Sequence, residues 1–148
     1  MSETKISQRS AILIEHARKS GVQENELLHA IRSGETEAFK TAQSSNFDYS
    51  EFYSYAKEHG EDLEKAVLEG YRITFNTRNG LKVWLEEAFH LNSESDFIVG
   101  EGIIENLPVQ EEQLEKLKRT LAVNWTIAET TPNGQGYNIK LTLRGLQS

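Results

Sequence analysis

An α+β fold is predicted, and three observations carry it. Apolar residues recur at helical spacing from Ile6 to Glu69, the spacing switches to alternation at Tyr71, and two alternating runs flank the turn Thr131 to Gly136. The expected architecture is a set of four to five N-terminal helices followed by a small, mostly antiparallel sheet of three to four strands. Two helices should pack on one face of that sheet. A chain of 148 residues suits a single domain, 1–148, with its own core. A boundary near residue 70 separates a helical part (5–69) from a mixed part (71–145), but each part alone is small for a stable core.

The first helix is expected over Ile6 to Lys19, with Ser7 as N-cap and Gly21 as the left-handed stop. Glu24 to Ser33 follows, with Leu27, Leu28 and Ile31 on one face and Gly34 ending it. Glu35 to Gln43 is a weaker helix presenting Ala38, Phe39 and Ala42. In Phe47-Asp48-Tyr49-Ser50-Glu51-Phe52 the spacing predicts a capping box from Asp48 and Glu51, with Phe47 and Phe52 as the staple. That helix should run to His59 and stop at Gly60. Glu61 to Glu69 continues helically as far as Gly70.

Tyr71, Ile73 and Phe75 alternate with polar residues and read as a half-buried strand. From 79 to 91 two structures compete. Asn79-Gly80 is a hairpin turn signal, whereas Leu81, Trp84, Leu85, Ala88 and Phe89 make a helical stripe that covers more apolar positions. Asp96 to Asn106 reads as a strand broken by a glycine bulge, or as a tight hairpin. Pro108 suits a first helical position, so a helix is expected over Val109 to Leu121, seamed by Leu114, Leu117 and Leu121. The closing hairpin has Val123, Trp125 and Ile127 on one arm, with Tyr137, Ile139, Leu141 and Leu143 on the other.

Composition narrows the classes of function. Six Phe, five Tyr and two Trp with only two prolines exclude a disordered chain. No run approaches the roughly 20 apolar residues of a spanning helix, and MSETKISQRS has no secretory pattern. The lack of cysteine excludes disulfides and thiolate chemistry and suits a reducing, cytoplasmic compartment, while size and composition suggest a bacterial-type protein. A net charge of −7 disfavours a large nucleic-acid or anionic-membrane surface. No membrane contact is expected, and self-association is left open.

Motifs for catalysis are missing: there is no Gly-x-Ser-x-Gly, no phosphate loop and no His-Glu-x-x-His. His16, His29, His59 and His90 all fall toward helix ends, where a ring can meet free carbonyls. Glu86, Glu87 and His90 have metal-like spacing, but no second Glu-x-x-His supports it. No metal and no cofactor is therefore expected. Ala17, Gly21, Val22 and Leu27 have helix-turn-helix spacing, yet the second helix opens on Glu24 and Glu26, the wrong sign for phosphates. If a helix starts near Leu81, its first amides with Arg78, Asn79, Gly80 and Lys82 offer an anion site. Tyr49, Phe52 and Tyr53 belong to an aromatic segment with more than one face, which suggests an interaction surface. The leading expectation is a non-enzymatic cytosolic regulatory or adaptor protein that binds a protein partner. A helix-turn-helix DNA-binding regulator is the first alternative, and a small enzyme or anion-ligand binder the second.

Overall fold

The computed structural model describes residues 4–44, 47–134 and 136–144. Its helical part contains β1 (Lys5–Ile6), α1 (Gln8–Lys19), α2 (Glu24–Ser33), a 3-10 turn (Glu37–Phe39), α3 (Phe52–Glu58) and α4 (Leu63–Glu69). Then come β2 (Arg72–Ile73), α5 (Arg78–Phe89), β3 (Ile98–Gly100), β4 (Ile103–Val109), α6 (Glu111–Thr120), β5 (Trp125–Asn133) and β6 (Gly136–Leu143). The mixed α+β class holds.

The sheet arrangement differs in detail from the expectation. β1 and β2 form their own parallel pair, Lys5 opposite Arg72 and Ile6 opposite Ile73. The other four strands make an antiparallel sheet in the order β3-β4-β6-β5. The strand expected over Tyr71 to Phe75 shrinks to two residues, and Phe75 is 59% exposed because the chain leaves the ladder after Ile73. Helix α6 lies against β4, β6 and β2, while α5 packs chiefly along α1. Of the two helices expected on the sheet, α6 therefore takes that place.

Local chemistry explains most boundaries. The Ser7 hydroxyl accepts from the Ser10 amide at 3.1 Å, which caps α1. Gly34 closes α2 at φ 74°, a conformation that glycine adopts without strain. For residues 79–91 the helix prevails. The Thr77 hydroxyl caps the Gly80 amide at 3.1 Å, which places Asn79-Gly80 in the first turn of α5. Leu81, Trp84 and Leu85 are then all fully buried on one stripe.

Three local expectations are corrected. Glu35 to Gln43 forms only the short 3-10 turn. The Asp48–Glu51 capping box does not form, because the Asp48 carboxylate instead takes the Ser50 amide at 3.0 Å and the Gln43 carboxamide at 2.8 Å. Helix α3 accordingly begins later, at Phe52. Pro108 lies in β4 opposite Asn138, beyond the stretch of β4 that pairs with β3. Its missing N–H therefore faces a side of the strand with no ladder, and the helix starts at Glu111 behind a Gln110–Gln113 capping box.

A single hydrophobic cluster runs from Ile6 to Leu141 and includes Trp84 and Trp125. Two buried polar groups fasten the two parts of the chain across it. Glu15, 2% exposed, accepts from the Tyr71 hydroxyl at 2.7 Å, Arg18 at 2.9 Å and Lys116 at 2.9 Å. Asn76, 1% exposed, accepts from the Ala122 amide at 2.9 Å and donates to the Gln8 carboxamide at 2.8 Å. A buried polar group is tolerable only when satisfied in this way.

Candidate functional site

The pairing of α1 with α5 creates a concavity. Leu13 and Ile14 of α1 and Leu81, Trp84 and Leu85 of α5 all belong to the buried core, and the two helices pack against each other. The neighbouring positions, Gln8, Arg9 and Ile12 on one helix and Asn79, Val83 and Glu86 on the other, line a groove of about 620 Å³. Phe47 and Asp48 form a further wall, and the volume lies in the range of ligand-sized sites, roughly 300–1,000 Å³.

Glu87 lies at the base of the groove and is 7% exposed. Its carboxylate accepts from His16 Nδ1 and from Lys19 Nζ, the latter at 3.2 Å. His16 Nε2 faces the Ala42 carbonyl at 3.0 Å. Both ring nitrogens thus face oxygen atoms, one from a side chain and one from the backbone. Phe47 stacks on that ring with centroids 3.7 Å apart and planes 6° from parallel. His16, expected as a helix-end ring, instead joins α1 to α5 and fixes the Phe47 wall.

Carboxylates set the polarity of the groove. Asp48, Glu86 and Glu87 line it against the single guanidinium of Arg9. Bonds from Gln43 and from the Ser50 amide and hydroxyl hold the Asp48 carboxyl below its usual range, so it stays ionised. Arg9 leans over the Tyr55 ring, 5.0 Å from its centroid, and reaches Glu51 at 3.6 Å. The Glu87 and His16 groups are bonded to one another, with the Lys19 amine 3.2 Å from Glu87 and the Ser20 hydroxyl 3.4 Å from His16 Nε2.

Of the residues singled out for an anion, Asn79 and Gly80 do line the groove, whereas Arg78 is exposed and Lys82 lies off the lining. The start of α5 is also occupied from within. Thr77 takes the Gly80 amide, and the Gln8 carboxamide oxygen takes the Thr77 amide at 3.0 Å. Glu86, Glu87 and His90 diverge: Glu86 meets the Ser93 amide at 3.3 Å, Glu87 meets His16, and His90 ends α5 at φ 56°.

The aromatic segment turns inward. Tyr49 and Phe52 are each 1% exposed and pack on Phe39, at ring distances of 4.5 and 5.5 Å. The Tyr49 hydroxyl donates to the Leu13 carbonyl at 2.6 Å. Tyr53 is half-buried, its hydroxyl donates to the Glu35 carbonyl at 2.5 Å, and burial pushes it up to about 12. Tyr49 and Phe52 therefore present no surface to a partner, and Phe47 is the aromatic residue that lines the groove. Phe47, Val83 and Arg9 carry no local signal that would have grouped them, since their proximity depends on two helices nearly 60 residues apart packing together.

In comparisons with known proteins, the chain matches no family model, no curated protein and no solved structure.

Proposed function

We propose that this chain is a non-enzymatic, cytosolic regulatory or adaptor protein that holds a segment of a partner protein in the α1–α5 groove. One observation carries the proposal: apolar side chains (Ile12, Leu13, Phe47, Val83) share the lining with the carboxylates of Asp48 and Glu86. Such a groove complements an apolar segment that carries lysine or arginine. The exposed acids Glu24 and Glu26 at the start of α2 weigh against phosphate contact by that helix. Among the described residues no helix is long and apolar enough to cross a membrane.

Selection of random displayed peptides on the purified chain tests the proposal. Basic, apolar sequences should be enriched, and Asp48→Lys with Glu86→Lys should abolish their binding while circular dichroism stays unchanged. Enrichment without basic residues, or equal binding to the double variant, would refute it.

A further inference from the structure

The dipeptide Asn-Gly occurs twice, at Asn79-Gly80 and at Asn133-Gly134. In this dipeptide a main-chain amide most readily attacks the preceding carboxamide, because glycine has no Cβ to obstruct the approach. The fold gives the two copies opposite surroundings. Both asparagines are exposed, so the glycines decide. Gly80 is buried in the first turn of α5, its amide donates to the Thr77 hydroxyl at 3.1 Å, and the Gln8 carboxamide lies against it. That nitrogen reaches the Asn79 side chain only if the turn opens.

The other copy stands at the tip of the closing hairpin. Asn133 is the last residue of β5 and ends the ladder opposite Gly136. Gly134 lies beyond it, exposed, with a left-handed backbone at φ 63°. Among the described residues nothing lies within 4 Å of the place where a side chain on Gly134 would begin. A Cβ on Gly136, by contrast, would lie 2.4 Å from the Val109 carbonyl oxygen. The hairpin is therefore pinned at its last ladder pair and open at its tip. The Asn133 carboxamide donates to Asn138 Oδ1 at 3.1 Å, an exposed contact that water can replace.

We infer that Asn133 is a site of spontaneous covalent modification, deamidating through a succinimide with Gly134, while Asn79 is protected by the fold. The Gly134 amide nitrogen gives up its proton and bonds to the Asn133 side-chain carbonyl carbon. The bond from that carbon to Nδ2 breaks, and Nδ2 leaves as ammonia. Water then adds to either carbonyl carbon of the ring and opens it to aspartate or to isoaspartate, in which the main chain runs through the side-chain carbon. Either product carries a new carboxylate and lacks the donor that meets Asn138. Asn133 borders a concavity of about 330 Å³ with Pro108, Gln110, Gln113 and Tyr137, and no charged side chain lines it. Conversion therefore turns a neutral concavity acidic.

Ageing of the purified, folded chain in mildly alkaline buffer, followed by peptide mass spectrometry that separates aspartate from isoaspartate, tests the inference. Both products should accumulate at position 133, at least about tenfold faster than at position 79. In denaturing urea the two positions should convert at similar rates, since the protection of Asn79 is conformational. Asn133→Gln should abolish the acidic species that ageing produces on anion exchange, with circular dichroism unchanged. Equal rates at the two positions in the folded chain, slower conversion of Asn133 folded than unfolded by as much as Asn79, aspartate without isoaspartate, or an undiminished acidic species in Asn133→Gln would each overturn the inference.

Discussion

Gly80→Ala sets two effects of opposite sign against each other at a single atom. Gly80 is the third residue of α5 and has a helical backbone, so alanine should stabilise the helix by up to about 1 kcal/mol on propensity alone. The added Cβ, however, would lie 1.7 Å from Gln8 Nε2 and 2.1 Å from its Cδ. The Gln8 carboxamide must move, and it makes three bonds: to the Thr77 hydroxyl at 3.1 Å, from the Thr77 amide at 3.0 Å and from Asn76 Nδ2 at 2.8 Å. Two of these are at the surface and contribute roughly 0.5–1 kcal/mol each, while the buried Asn76 donor left unpaired costs about 1–3 kcal/mol. The loss exceeds the gain. Net destabilisation should be about 1–3 kcal/mol, a fall in Tm of roughly 3–10 °C for a chain of this size. Urea unfolding of the single and double variants with Gln8→Ala measures the coupling. In the Gln8→Ala background the clash is gone and Gly80→Ala should become neutral or stabilising. Stabilisation by Gly80→Ala alone, or equal destabilisation in both backgrounds, would refute the clasp.

Three further outcomes are expected. Asn76→Ala leaves the fully buried Ala122 amide without its acceptor and should lower unfolding free energy by about 2–3 kcal/mol in chemical denaturation. Glu15→Gln keeps an acceptor for Tyr71 but loses the charge that holds Arg18 and Lys116. Because those cations are only partly buried the loss should be about 1–2 kcal/mol, and an unchanged denaturation midpoint would contradict it. At alkaline pH, burial raises Tyr71 and Tyr49 above the usual value of 10.0, and Tyr53 to about 12. Raised groups keep their protons in the folded state while the unfolded chain loses them, so their stabilisation is complete below pH 10 and declines as pH rises above it. Tyrosinate absorbance should therefore rise together with loss of near-ultraviolet circular dichroism, and titration of all five tyrosines in a still folded chain would be inconsistent with this.

What could be read from the sequence was local. Glu24 to Ser33 is bounded by a stop at Gly34, and the structure returns those limits because Gly34 adopts the conformation that ends a helix. The closing hairpin was legible for a similar reason, since alternation and turn residues sit within one short stretch. β1 was not legible: two residues have no period, and Lys5–Ile6 becomes a strand only because Arg72–Ile73 lies beside it. Pro108 misled because a first-turn proline and an edge-strand proline look alike until the neighbouring strand is known to stop short. His16 and Phe47 were each noted singly. Their stacking depends on the loop before α3 folding back over α1, and no spacing rule carries that information.

The β1–β2 pair also has a consequence for how the chain is made. Lys5 and Ile6 wait for Arg72 and Ile73, and the apolar stripe of α1 waits for α5, whose last residue follows the end of α1 by roughly 70 positions. At ordinary elongation rates that delay is about 4–14 s. Throughout it, α1 lacks the helix that covers its apolar stripe, so a pause in translation before α5 should leave the chain open to chaperone binding and proteolysis.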